Sequence, residues 1–90
     1  MKPLDTLILS FNNWSSPWTF YDFIYNSSTL DEKEKELFQT IWTAALDEEN
    51  WLQSDFVTGC KNAQNRLSSN FDLCDEAILA VVRAASFEWK

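Results

Sequence analysis

The sequence predicts an all-α fold: a small single domain over residues 1–90, built as a bundle of four to five helices with the C-terminal helix central. Three observations carry that expectation. In the stretch 72–89, Ile78, Val81, Val82, Ala85 and Trp89 recur at helical spacing, and Leu79, Ala80 and Ala84 widen the stripe over most of the circumference. A helix this apolar must be covered from several sides, so it belongs in the middle. One Gly and two Pro are too few to punctuate the hairpins of a sandwich or barrel. A hydrophobic fraction of 46% with 16% aromatics excludes a disordered chain, and ninety residues suffice for one core without staples.

Taken in order, Pro3 suits the first turn of a helix, where its missing N–H would have had no partner anyway. Leu4, Leu7, Ile8 and Phe11 follow at i, i+3, i+4 and i+7; a short strand over residues 6–10 is the alternative reading. After a turn at 12–16, Ser16 can cap and Pro17 can open the next helix. Residues 18–25 are dense in aromatics, with Tyr21, Ile24 and Tyr25 on one face and Phe20 and Phe23 on an adjoining one. One short helix cannot bury them all, so some should reach the surface.

Thr29 with Glu32 forms a capping-box pattern, and Asp31, Glu32 and Glu34 favour the helix start. Leu30, Leu37, Ile41 and Ala45 then line one face, with Phe38 and Trp42 beside them. The acids at 47–49 sit poorly at a helix C-terminus, so the helix should end or bend there, although a continuous helix through 50–54 is a rival reading. Ser54 can cap a fourth helix in which Phe56, Cys60, Ala63 and Leu67 share a face and Gly59 allows a close helix contact. Asp72 is the expected cap of the last helix, whose stripe Arg83 interrupts. Glu76 lies seven residues back, too far for a local pair, so Arg83 needs a carboxylate from elsewhere or a position at the rim.

The chemistry available is narrow. No His means no Ser-His-Asp or Cys-His system, and one Gly permits neither of the usual phosphate-cradling loops. Carboxylate acid–base catalysis would have to use residues 47–49 or 31–36, and both groups read as solvated surface. Cys60 and Cys74, fourteen apart and without His or a second pair, suit neither a zinc site nor a firm disulfide and read as free thiols. No cofactor or metal is expected, and no apolar run is long enough to span a membrane. The N-terminus lacks a convincing signal peptide, so a cytoplasmic location is the expectation, and the patterns at Asn13-Trp14-Ser15 and Asn26-Ser27-Ser28 read as chance glycosylation matches.

A formal net charge of −7 should repel nucleic-acid phosphates and suit a partner protein with a basic surface. The functional expectation is therefore a non-enzymatic protein-binding domain of the inhibitor, immunity or anti-defence type. It would dock on a nuclease or a nucleic-acid-binding complex through Asp31, Glu34, Asp47, Glu48 and Glu49, with Trp14, Trp18 and Tyr21 as aromatic anchors. The alternative is a structural or regulatory homodimer associating through the aromatic segment 14–25.

Overall fold

In the computed structural model, which describes residues 3–52 and 55–89, every regular element is helical. In chain order these are α1 (Pro3–Ser10), a 3₁₀ turn (Pro17–Thr19), α2 (Phe20–Tyr25), α3 (Glu32–Leu46), α4 (Glu48–Trp51), α5 (Phe56–Asn70), α6 (Asp75–Ser86) and a closing 3₁₀ turn (Phe87–Trp89). Five helices and the single-turn α4 thus make an all-α bundle. Its radius of gyration is 12.3 Å, close to the ~12 Å expected of one compact domain of this length.

Helix α6 is the centre, packing against α1, α3 and α5. It buries Ala77, Ile78, Val81, Val82, Ala84 and Ala85, as the periodicity predicts. Leu79 departs from that reading: it is 50% exposed, at the edge of a shallow groove between α1 and α6. The side chain of Trp89 and the predicted cap Ser54 lie outside the described residues.

The first segment is a helix and not a strand, with Leu4, Ile8 and the following Phe11 buried. In the aromatic segment the buried pair is Phe20 and Ile24. Phe20 is the hub, its ring 5.2 to 6.1 Å from those of Phe11, Trp14, Phe38 and Trp42. Such aromatic pairs contribute about 0.5–1.5 kcal/mol each beyond the area they bury. Tyr21 stacks on Tyr25 at 5.5 Å and also packs against Phe38 and Trp42 at 5.5 and 5.8 Å.

Along α3 the buried residues are Phe38, Ile41 and Ala45, while Leu37 is exposed. Phe38 displaces Leu37 from the core because the Phe20 hub takes its ring. A related rotation occurs in α5, which buries Gly59, Ala63 and Leu67 and leaves Phe56 exposed and Cys60 half-buried. The cause is Trp51: a Cβ at Gly59 would stand only 3.0 Å from the indole Cζ3 and nearer still to Cε3. Only glycine lets α5 approach α4 this closely, so the α5 face turns to put Gly59 inward.

The caps also fall one or two residues from their expected places. Asp31, not Thr29, caps α3 by accepting from the Glu34 N–H at 2.8 Å, and Asp55 caps α5 by accepting from the Thr58 N–H at 2.8 Å. Ser16 makes no side-chain cap. Cys74 rather than Asp72 is the N-cap of α6, and its own N–H donates to the carboxylate of Asp5 at 3.1 Å. A side chain of α1 thereby helps to close the N-terminus of α6. Arg83 also finds a partner of another kind: its guanidinium lies 4.2 Å from the centroid of the Trp14 ring, a cation–π contact in place of the expected carboxylate.

Candidate docking site at the α4–α5 corner

The end of α3 leaves backbone carbonyls without helical partners, and α4 supplies them. Asn50, itself buried, donates from Nδ2 to the Ala44 carbonyl at 2.9 Å, and Trp51 Nε1 donates to the Ala45 carbonyl at 2.9 Å. Asn62 of α5 donates to the Asn50 carbonyl at 3.0 Å. These bonds pin α3, α4 and α5 into a sharp corner. The acids at 47–49 do end α3, as the sequence predicts, and Asp47 then caps α4 by accepting from the Glu49 N–H at 2.9 Å.

The corner carries an unusual surface. Leu52, Phe56 and Val57 lie within six residues of one another and are 63%, 42% and 64% exposed. Beside them in sequence are the exposed carboxylates Glu48, Glu49 and Asp55, and the exposed base Lys61 lies one turn on from Val57. Scattered single apolar residues are ordinary on a protein surface, whereas a local group bordered by charge marks an interaction site. Asp47 is less available than its neighbours, because Arg66 pairs with it at 2.9 Å.

The carboxyl of Asp47 is held below its ordinary value, first by the Glu49 N–H and then by Arg66. Thr58, through its backbone N–H and its side chain, does the same for Asp55, with Lys61 a smaller contribution. Both groups therefore stay ionised at neutral pH. A general acid or base working there needs a shift in the opposite direction. Burial pushes the Cys60 thiol up, which makes it a poorer nucleophile at neutral pH. Both cysteines are free, and among the described residues no group of three or more His, Cys, Asp or Glu could hold a metal.

The other candidate residues do not converge on one place. Asp31 and Glu34 lie at the opposite end of the fifteen-residue α3, about 20 Å from the corner at ~1.5 Å per residue. Tyr21 lines an open groove of about 920 Å³ together with Trp42, Glu36, Asp47, Arg66 and Phe71, so Tyr21 and Asp47 do share a surface. Gln39 Nε2 donates to the Tyr21 hydroxyl at 3.3 Å and steadies that ring. Trp14 is half-buried under Arg83, and Trp18 is 68% exposed on the first 3₁₀ turn.

Leu52, Phe56 and Val57 are the residues that the sequence pattern did not assign to a surface. A signal was present for two of them. Val57 has Cys60, Lys61 and Gln64 at i+3, i+4 and i+7, and Leu52 has Glu48 and Glu49 at i−4 and i−3. Neither belongs to an apolar stripe. No helix among the described residues is long and apolar enough to cross a membrane. No protein-family model, curated protein or solved structure matches the chain, so the functional reading rests on its own residues.

Proposed function

We propose that this is a non-enzymatic, inhibitor-type binding protein that docks on a basic surface of a partner protein through the α4–α5 corner. The observation that carries the reading is the exposure of Leu52, Phe56 and Val57 among Glu48, Glu49 and Asp55. An apolar centre with a charged rim is the anatomy of a binding hot spot: the centre supplies affinity and the rim supplies steering and choice of partner. The charges beside this group are mostly acidic, with Lys61 the exception, and the chain as a whole carries −7. A partner fits if it offers apolar side chains flanked by Lys and Arg, as the substrate-binding face of a nuclease or of a nucleic-acid-binding complex can. The Tyr21–Trp42 groove, which reaches Asp47, is available to extend the contact.

The test is affinity capture from host lysate with three immobilised forms: the parent protein, Leu52→Ser/Val57→Ser, and Glu48→Lys/Glu49→Lys. Circular dichroism should first show that all three fold alike, because Leu52 closes α4 and Glu48 and Glu49 form its first turn. A captured protein that elutes as salt rises, and that both variants lose, fits the proposal. Capture that is equal in all three forms, or that survives high salt, removes it.

A further inference from the structure

Helix α6 has one face that the bundle covers only in part: Trp14 rests on Arg83, and the first 3₁₀ turn packs against the closing one. Glu76, Leu79, Ala80, Arg83 and Phe87 recur at i, i+3, i+4, i+7 and i+11, and all are exposed or half-exposed while the rest of the helix from Ala77 to Ser86 is buried. This strip borders a shallow groove of about 260 Å³ between α1 and α6, on whose far side lie Leu9 and Trp14. Its charges are arranged symmetrically. Glu76 and Arg83 stand equally far from the midpoint between Leu79 and Ala80, about 10 Å apart along the axis at ~1.5 Å per residue.

From this we infer that α6 is a dimerisation helix, and that its partner is the α6 of a second copy laid antiparallel across a twofold axis between Leu79 and Ala80. In an isologous contact residue i meets j and j meets i. With this axis, Glu76 faces Arg83 of the partner subunit twice over, and Leu79 faces Ala80 of the partner subunit, whose small side chain lets the helices approach. Neither charge has an ion-pair partner among the described residues, and the two stand seven residues apart on α6, too far to pair with each other. Trp14 covers the face of the Arg83 guanidinium, while its in-plane N–H donors remain available to a carboxylate.

Charge complementarity selects a second copy over an unrelated partner. A uniformly basic surface would meet Glu76 well and Arg83 badly, whereas the same strip reversed meets both. The contact is small, because one strip of about three turns with Leu9 and Trp14 beside it falls short of the ~1,200 Å² of a standard interface. The association should therefore be weak and concentration-dependent. Two molecules of net charge −7 also repel at long range, an effect screened beyond about 8 Å at physiological salt. None of these residues belongs to the α4–α5 corner, so this inference and the proposed function stand or fall separately.

The experiment is sedimentation equilibrium at physiological salt, from micromolar to millimolar protein, on the parent chain and charge-reversal variants checked for folding by circular dichroism. The parent should dimerise, and Glu76→Arg or Arg83→Glu alone should weaken dimerisation at least about tenfold. The double variant E76R/R83E should dimerise again, and an equimolar mixture of the two single variants should form a heterodimer. If Arg83→Glu fails to fold for want of its Trp14 contact, Leu79→Glu, at a half-exposed site, replaces it and should likewise give monomers. A parent chain that stays monomeric throughout, or dimers indifferent to both reversals, would overturn the inference.

Discussion

Helix α6 buries Ile78, Val81 and Val82 beneath α1, α3 and α5, whereas the α4–α5 corner leaves Leu52, Phe56 and Val57 in solvent beside Glu48, Glu49 and Asp55. The side chains are chemically alike, and what separates the two regions is how they are held. In α6 burial holds the element: the apolar side chains are themselves the fastening. At the corner hydrogen bonds hold the backbone, from Asn50 and Trp51 to the end of α3 and from Asn62 to Asn50, with Asp47 and Asp55 as caps. Because the polar groups fix the geometry, the apolar ones are free to face outward. Stability should accordingly be sensitive to polarity in α6, and to shape and protonation at the corner.

The largest effect should come from a charge inside α6. Ile78→Asp or Val82→Asp would place a carboxylate where the native side chains are 2% and 5% exposed. An unpaired buried charge costs several kcal/mol, comparable with the whole stability of about 5–15 kcal/mol expected of such a domain. Circular dichroism should show an unfolded or barely folded chain at 25 °C. A cooperative melt at the parent temperature would mean that burial does not hold α6.

A smaller loss is expected from Gly59→Ala, which probes the shape of the corner. Alanine would ordinarily strengthen α5 by about 1 kcal/mol. Here its Cβ meets the Trp51 ring, which cannot swing aside without breaking the bond from Nε1 to the Ala45 carbonyl. Overpacking of this kind costs about 1–3 kcal/mol, so after the helix gain the net change should be a destabilisation of up to about 2 kcal/mol, read from denaturant midpoints. A stabilised variant would show that Trp51 is not fixed, and would loosen the whole corner.

The same contrast explains how much could be read in advance. Periodicity located α6 and the helical character of α1, the acids at 47–49 marked the break after α3, and the glycine itself marked the close approach at position 59. Such local signals failed where several neighbours could serve equally. Thr29 and Asp31 can both cap α3, and packing chooses between them. Leu37 and Phe38 both suit a buried face, and the Phe20 hub takes the ring. The Asp5–Cys74 contact joins residues sixty-nine positions apart and leaves no local trace. Among the candidate binding residues, the acids Glu48 and Glu49 were legible from charge alone. Of their apolar companions, Leu52 and Val57 show only by belonging to no apolar stripe, and Phe56 does not show at all, because it falls on the stripe that α5 turns away from the core.

The corner's dependence on ionised caps gives the subtlest prediction. Asp47 and Asp55 have carboxyls held below their ordinary value in the folded chain, by the Glu49 and Thr58 N–H groups above all. An unfolded Asp titrates near ~3.9. The folded chain therefore binds these two protons less readily than the unfolded one, and their contribution is fully present above that pH. It disappears as pH falls through the depressed folded values. Melting temperature followed from pH 6 to pH 2 should fall most steeply below about pH 4. In Asp47→Asn/Asp55→Asn, asparagine still caps both helices but cannot titrate, so that descent should be shallower and the two curves should run parallel above pH 5. Identical acid slopes would mean that the ionised state of these caps does not hold the corner, and would leave Asn50, Trp51 and Asn62 as its fastening.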